Sequence, residues 1–174
     1  MKKLVLGSAI LAVLGMTSSA MAANNSGTVN FTGSVSSATC DLSVQDAAGS
    51  EIATVDLGTM ATTATAGTIV NFKLVPTDNT CLAKTGAQMN WSSPNLTSLG
   101  LSNSVTGGTN AYMKLGATNS TEKTYVTTGN TVFNYTAANG IKSFEYSAQL
   151  NKPAAGTLTA GAFATSATYS VAYK

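Results

Sequence analysis

Two cysteines, Cys40 and Cys81, are the side chains of this sequence with the most evident chemistry. The chain has no histidine, so Ser-His-Asp and Cys-His nucleophilic arrangements are excluded. Without histidine or a third cysteine, the two thiols also lack the partners that a zinc site needs. A disulfide bond and two free thiols remain as the alternatives for this pair.

The acidic residues are the second set that could do chemistry, and they form no paired motif. Two carboxylates would suit a glycosidase only if folding brought them together on either side of a glycosidic bond. The seven acidic residues are Asp41, Asp46, Glu51, Asp56, Asp78, Glu122 and Glu145. We therefore predict no catalytic residue, no metal site and no cofactor, and we predict that the chain is not an enzyme.

The first 22 residues have the features of a secretory signal peptide. Lys2 and Lys3 give a positive start, residues 4–16 are almost wholly apolar, and 20–22 form a small-x-small cleavage site. Cleavage there leaves residues 23–174, enough for one domain with one core. Export to an oxidising compartment predicts a Cys40–Cys81 disulfide. Closing a loop of this length is worth roughly 4 kcal/mol in the chain-entropy account.

The charge pattern argues against nucleic acid as a partner. All nine basic residues are lysines and two of them lie in the signal segment, so seven remain against seven acidic residues. The exported chain therefore has a formal net charge of zero and no basic stripe. Charged residues make up 9% of the chain, well below the usual ~25%. Such a surface is typical of a protein that is packed into an assembly.

Apolar and polar residues alternate along most of the exported chain, which predicts many short β-strands separated by Gly, Asn, Ser and Thr. No segment shows a capped helical period, and the alanine-rich segments 47–53 and 60–66 are expected to be loops. This pattern predicts an all-β sandwich or barrel. The expected strands are 27–35, 52–56, 69–75, 88–91, 111–115, 124–126, 131–135, 142–150 and Phe163–Tyr173.

Both ends of the exported chain carry predicted strands with an apolar face, which is unusual because the termini of a domain are usually polar and frayed. Near the N-terminus, the alternating face consists of Gly27, Val29, Phe31 and Gly33. At the C-terminus, the alternating face consists of Phe163, Ala167, Tyr169, Val171 and Tyr173. Two such strands would invite aggregation if both stayed open, so we expect that one supplies what the other lacks.

In these features the chain resembles the pilins assembled by the chaperone–usher pathway, such as the major subunits of type 1 and P fimbriae. The first feature is the Gly27-to-Gly33 segment before Cys40, and the second is the spacing from Cys40 to Cys81. The third is a C-terminal signature in which Gly161 is the fourteenth residue from the end and Tyr173 the penultimate one. The resemblance covers essentially the whole exported chain.

The resemblance implies an incomplete immunoglobulin-like β-sandwich that lacks its final strand and receives a donor strand from a neighbouring subunit. Its donor-strand residues would be Gly27, Val29, Phe31 and Gly33. Its acceptor groove and chaperone-recognition residues would be Gly161, Phe163, Tyr169, Val171 and Tyr173. Chaperone–pilin complementation is itself a known case of strand addition, in which main-chain hydrogen bonds give affinity and alternate side chains fill pockets.

The same resemblance implies the organisation and the partners. Residues 1–22 would be the signal peptide, 23–35 the donor-strand extension and 36–174 the pilin domain. The partners would be identical or related pilin subunits, a periplasmic chaperone and an outer-membrane usher, in a surface fimbria of a Gram-negative bacterium that supports adhesion. The alternative is a fimbrial subunit that is itself the adhesin and binds a host receptor.

Overall fold

A computed structural model describes residues 27–33, for which the backbone is given, and residues 40–174. The predicted signal peptide lies outside the described residues. Within them the chain forms ten strands and one helical turn. The strands are β1 Gly27–Gly33, β2 Leu42–Asp46, β3 Thr54–Asp56, β4 Val70–Pro76, β5 Gly86–Ser92, β6 Leu101–Ser102, β7 Tyr112–Ala117, β8 Val132–Thr136, β9 Phe144–Asn151 and β10 Phe163–Tyr173, and the helix is α1 Asn79–Leu82.

The strands form two five-stranded sheets that face each other across one hydrophobic core. The first sheet has the order β3-β1-β10-β5-β8, and the second has the order β2-β4-β9-β7-β6. Neighbouring strands are antiparallel except β1 and β10, which are parallel. The all-β sandwich expected from the alternating pattern is therefore confirmed, and the final strand β10 has the predicted bounds.

Alternate residues of both sheets point into the core, as the two-residue period predicts. On β5, Met89 and Trp91 are fully buried while Asn90 between them is exposed. On β9, Phe144 and Tyr146 are buried on either side of exposed Glu145. The apolar faces of the two sheets thus bury each other, which is the main source of stability in a sandwich.

A small polar network lies inside this apolar core. The Tyr146 hydroxyl accepts hydrogen bonds from the Trp91 indole nitrogen at 2.9 Å and from the Tyr135 hydroxyl at 2.6 Å, and it lies 2.9 Å from the Met89 sulfur. Burial holds the pKa of both tyrosines well above the usual value for a phenol. The network joins β5 and β8 of the first sheet to β9 of the second.

One predicted strand, 124–126, is wrong. Tyr125 forms only an isolated bridge with Gly116, and the Tyr125 ring lies where a side chain at Gly116 would stand. The backbone is held by single hydrogen bonds, from Ala117 N to Thr124 O at 3.0 Å and from Val126 N to Leu115 O at 2.8 Å. A short alternation of apolar and polar residues has the same sequence pattern whether the segment joins a sheet along its length or only through one bridge.

Three short elements were not expected from the sequence: β2, β6 and α1. The single turn α1 begins after Asp78, whose side chain accepts a hydrogen bond from the Thr80 backbone N–H at 2.7 Å. Four residues are too few to show a helical period. Strand β4 also runs through Pro76, one residue past its expected end, because a strand end tolerates a residue without an N–H donor.

Candidate strand-acceptor site

The backbone of β1 lies between β3 and β10 in the first sheet. Val29 is in register with Val55 of β3 and with Thr165 of β10. The complete pairing with β10 runs from Gly27 opposite Phe163 to Gly33 opposite Tyr169. Within the described residues, β1 is the one strand that pairs with β3, so without it β3 and β10 would face each other across a gap one strand wide.

One edge of β10 is held by the rest of its own domain. The Ala164 carbonyl accepts hydrogen bonds from the Ser104 N–H and hydroxyl, both at 2.8 Å, and the Ser166 carbonyl accepts one from the Ser93 hydroxyl at 2.6 Å. Further along, β10 pairs with β5. Since alternate residues of a strand direct their backbone groups to opposite edges, the odd-numbered residues of β10 present theirs to β1.

The inward face of β10 is formed by the same odd-numbered residues. Phe163, Thr165, Ala167 and Val171 are buried, while Tyr169 and Tyr173 are half-buried. The Tyr169 ring packs edge-on against Trp91 at 5.6 Å between centroids, and the Tyr173 ring packs against Phe144 at 6.1 Å. Four of the five predicted acceptor residues therefore share one inward face of β10, and the fifth is Gly161.

Two hydroxyl groups on this face have no hydrogen-bond partner within the described part of the chain, those of Thr165 and Tyr173. Burial, and secondarily the neighbouring Tyr169, raises the pKa of Tyr173 to about 12. Burial, followed by the charge of Asp41, also raises the pKa of Tyr169. The face is thus mostly apolar and uncharged, as a surface that receives another strand must be.

The predicted residues divide into those that β1 reaches and those that it does not. Phe163 and Tyr169 are in register with the two ends of β1. Val171 and Tyr173 continue the same face beyond the last β1 residue and pair on their other edge with Met89 and Ala87 of β5. The four predicted donor residues of β1 all occupy register positions opposite inward-facing residues of β10.

Gly161 does not line the inward face of β10, although the resemblance grouped it with the acceptor residues. It lies in the turn before β10 with φ of +151°. A side chain there would place its first carbon 2.7 Å from the Thr109 nitrogen and 2.8 Å from the Gly108 carbonyl carbon. Glycine is required because the backbone of residues 108–109 passes so close. Gly161 therefore positions the start of β10.

Asn103 is a positioning residue that the sequence did not indicate. Its side-chain amide donates to Thr109 O and Ala162 O, both at 2.8 Å, and its carbonyl oxygen accepts from Ala164 N at 3.0 Å. These bonds fasten the first residues of β10 to the loop after β6. In a chain so rich in Asn, Ser and Thr, nothing distinguishes this asparagine until the fold brings residues 103 and 164 together.

The predicted disulfide between Cys40 and Cys81 is confirmed. It links Cys40, two residues before β2, to Cys81 in the helical turn α1. Five residues after Cys81, the Gly86 carbonyl accepts a hydrogen bond from the Lys174 backbone N–H at 2.8 Å. The disulfide thus joins the chain before β2 to the segment that precedes β5, and β5 in turn pairs with the C-terminal half of β10.

The described residues offer no cluster of three or more His, Cys, Asp or Glu side chains that could hold a metal ion. No helix among them is long and apolar enough to cross a membrane. The first sheet can instead hold a β-strand between β3 and β10, since β10 has an edge of backbone groups beside an apolar face there. In this structure β1 fills that gap, which is one strand wide.

Comparison with known proteins gives the family. No protein-family model matches the chain. The chain is 40% identical to the K99 fimbrial protein of Escherichia coli, over 99% of both chains. Its fold is similar to that of the P pilus rod subunit PapA, with a TM-score of 0.52, 22% identity, and coverage of 79% of this chain and 100% of that one.

A second solved structure, of a chaperone–usher pilus, has a TM-score of 0.54 and 23% identity, covering 83% of this chain and 93% of that one. Both structural likenesses agree with the incomplete immunoglobulin-like sandwich that the sequence features implied. The near-complete coverage at 40% identity extends the relationship beyond the fold to the protein class. The chain belongs to the family of fimbrial proteins, which are exported structural proteins of the Gram-negative cell surface and not enzymes, and it has the fold of chaperone–usher pilus subunits.

Proposed function

We propose that this fimbrial subunit polymerises by donor-strand exchange, in which residues 23–35 of one subunit complete the first sheet of the next. The observation that carries the proposal is the position of the β1 backbone between β3 and β10. A strand in that gap satisfies the backbone groups on the open edge of β10, and β1 has the alternating sequence that such a position requires.

The energetics favour a strand over an empty gap. Without a strand there, the buried side chains of Phe163 and Ala167 would lose their cover, and β10 would present an exposed edge. Burying one Val or Phe side chain is worth roughly 1.5–3 kcal/mol, so a donor strand that carries Val29 and Phe31 gains several kcal/mol besides its main-chain hydrogen bonds.

An open apolar edge also explains the need for assembly partners. A newly exported subunit whose gap stayed empty would aggregate through that edge. A periplasmic chaperone that lends a strand would cover it, and an outer-membrane usher would exchange that strand for the extension of the next subunit. Val171 and Tyr173 extend the acceptor face beyond Tyr169, which leaves room for a longer chaperone strand.

Thermal unfolding of two proteins tests the proposal. One comprises residues 34–174, and the other is the same chain with residues 23–35 attached after Lys174 through a short flexible linker. A monomer of much higher melting temperature in the second case is expected, because the attached strand fills the gap. A matched control carries Phe31→Asp in the attached copy and should lose most of that gain. Equal stability of all three proteins would show that the sandwich is already complete.

Receptor binding by the subunit itself is the second candidate, and one surface feature favours it. An open cleft of about 390 Å³ is lined by Tyr112, Leu99 and several residues with hydroxyl or amide side chains, among them Thr97, Asn103 and Asn110. Such residues suit a sugar, which takes hydrogen bonds at its hydroxyls and an aromatic ring against its face. Loss of cell binding in Tyr112→Ala filaments, with filament length unchanged, would support this role, whereas unchanged cell binding would contradict it.

A further inference from the structure

The outer edge of β8 is covered by the carboxylate of Glu122. The Asn134 backbone N–H donates a hydrogen bond to Glu122 Oε2 at 2.8 Å, and the Asn134 side-chain amide donates one to Glu122 Oε1 at 2.7 Å. We propose that Glu122 is a specificity-determining residue of assembly, which prevents a second copy of this chain from pairing edge to edge with β8. The subunit then associates through other surfaces and not through this edge.

Strand β8 is the last strand of the first sheet, and its inner side is occupied by β5. The hydrogen bond of 2.9 Å from Trp91 N to Thr131 O shows that the odd-numbered residues direct their backbone groups towards β5. The even-numbered residues Val132, Asn134 and Thr136 therefore direct theirs outward, because the two edges of a strand alternate. Asn134 is the middle one of the three, so a strand that adds along this edge must pair with it.

The sequence of β8 favours such pairing. The strand has the sequence Val-Phe-Asn-Tyr-Thr, which is rich in β-branched and aromatic residues, and no charged residue occurs from Thr124 to Ile141. The outward side chain of Val132 is 39% exposed. An uncharged β-forming segment without proline at a sheet edge pairs readily with the same segment of a second copy. This edge therefore needs a barrier, and natural sheets often use a charged side chain as one.

The segment 119–123 holds Glu122 in this position. The Asn119 side chain accepts a hydrogen bond from the Glu145 backbone N–H at 2.8 Å, which fastens the segment to β9 of the second sheet. The buried Ser120 hydroxyl accepts one from the Lys123 backbone N–H at 3.1 Å. Lys123 has a φ of +45°, a left-handed conformation that is uncommon for a residue other than glycine. A strained turn of this kind persists where its surroundings fix it, and here it follows directly after Glu122.

All the outward polar groups of Asn134 are engaged. Its backbone carbonyl accepts a hydrogen bond from Thr121 N at 2.7 Å, and its side-chain oxygen accepts one from Gln88 Nε2 at 3.1 Å. Burial alone would raise the pKa of Glu122, but the hydrogen bonds from Asn134 lower it in sum, so the carboxylate is charged at neutral pH. An added strand would have to displace two charge-assisted hydrogen bonds, which are stronger than neutral ones.

The edges of the second sheet are covered differently. Beside β2, the Val44 carbonyl accepts a hydrogen bond from Ile52 N at 2.8 Å, and beside β6, the Ser102 N–H donates one to Asn95 O at 2.8 Å. Both of these contacts join backbone atoms, so a side-chain substitution leaves the bonding groups in place. At β8 the outward N–H of the middle residue is covered by a side chain, so a single substitution at Glu122 can open the edge.

Hydrogen exchange of the Asn134 amide tests the contact in monomers of the full exported chain, residues 23–174. Glu122→Ala should speed this exchange about tenfold or more, because a hydrogen bond to a charged acceptor is lost. Glu122→Gln keeps the side-chain length, should speed the exchange less, and provides the comparison if Glu122→Ala does not fold. Glu145→Gln is the matched control, since it removes another exposed carboxylate. Unchanged exchange in both Glu122 variants would overturn the proposal.

Sedimentation of the same proteins tests the consequence. The Glu122 variants should form dimers and larger species at concentrations at which the unmodified chain and Glu145→Gln stay monomeric. The Asn134 amide should be protected again in the associated material, because the new strand pairs with it. Glu122 variants that stay monomeric, or that associate while Asn134 still exchanges fast, would overturn the proposal. Equal association of Glu145→Gln would also overturn it, since the cause would then be the lower charge alone.

The outcome at Asn134 is independent of donor-strand exchange. Strand β8 is separated from β10 by β5, so filling or emptying the gap beside β10 does not add a strand at β8. Equal stability of the linked-strand proteins in thermal unfolding would overturn donor-strand exchange and leave the role of Glu122 intact. Fast exchange at Asn134 with no association in the Glu122 variants would overturn that role and leave donor-strand exchange intact.

Discussion

The Trp91 indole nitrogen donates a hydrogen bond of 2.9 Å to the Tyr146 hydroxyl across the interface between the two sheets. Their rings also meet edge-to-face, with centroids 5.1 Å apart. Trp91 lies on β5, next to β10, and its ring contacts Tyr169 on the acceptor face. The polar centre of the core is therefore in direct contact with the inward face of β10, the strand that pairs with β1.

Removing the Tyr146 hydroxyl should destabilise the domain. Tyr146→Phe leaves the Trp91 N–H buried without its acceptor and deprives the Tyr135 hydroxyl of the same partner. The expected loss is about 1–3 kcal/mol of unfolding free energy, measured by chemical denaturation. Tyr125→Phe is the matched control, since Tyr125 is 46% exposed. Equal stability of both variants would show that the network contributes nothing.

Stability should fall at alkaline pH. Burial raises the pKa of Tyr135 and Tyr146 in the folded chain above the value of about 10 that a tyrosine has when unfolded. The folded state then holds protons that the unfolded state has lost, so stability is full below about pH 10 and declines above it. Each such tyrosine lowers the unfolding free energy by up to about 1.4 kcal/mol per pH unit. Denaturation midpoints measured through this range should fall less in Tyr146→Phe than in the unmodified protein, and equal slopes would contradict the assignment.

A charged residue at position 31 should block polymerisation. Phe31→Asp would place a carboxylate at the register position opposite buried Ala167 of β10, where burial of an unpaired charge is costly. The subunit's own fold in a chaperone complex should be unaffected. Filament yield by electron microscopy and capture by the chaperone are the two readouts. Thr32→Asp, whose register partner Thr168 is exposed, is the control. Failure of Phe31→Asp to fold in the chaperone complex would place Phe31 in the subunit's own core.

Truncation of the C-terminal end of the acceptor face should weaken chaperone capture. In the double variant Val171→Ala and Tyr173→Ala, the inward side chains beyond Tyr169 are lost. Co-purification with the chaperone should drop, because two apolar contacts worth roughly 1.5–3 kcal/mol each are removed or reduced. Ser170→Ala changes an outward position of the same strand and should bind normally. Normal capture of the double variant would exclude this end of β10 from recognition.

Loss of the Asn103 side chain should loosen the start of β10. Asn103→Ala removes hydrogen bonds to Thr109, Ala162 and Ala164 together. A decrease of about 1–3 kcal/mol in unfolding free energy is expected, with faster amide exchange at residues 162–165. Asn90→Ala, at an exposed position on β5, should change stability little. A stable Asn103→Ala variant with protected amides would show that Gly161 and the β5 pairing suffice to hold the strand.

Local pattern was enough to predict the long strands and the class of the fold. The alternation in β4, β5, β9 and β10 is visible because each strand buries one face, and Phe163–Tyr173 was bounded correctly by a turn before it and the chain end after it. The pairing of Cys40 with Cys81 also followed from the sequence, since two cysteines in an exported chain have one partner each.

Tertiary structure decided what depends on contacts between distant residues. Asn103 acquires its role only when β6 and β10 are brought together, and the 124–126 segment fails to join a sheet although its local pattern would allow it. The direction of β1 is of the same kind. The alternation of β1 predicts a strand, while only the fold shows that it lies between β3 and β10 and pairs in parallel with β10, because strand pairing depends on contacts between residues far apart in the chain.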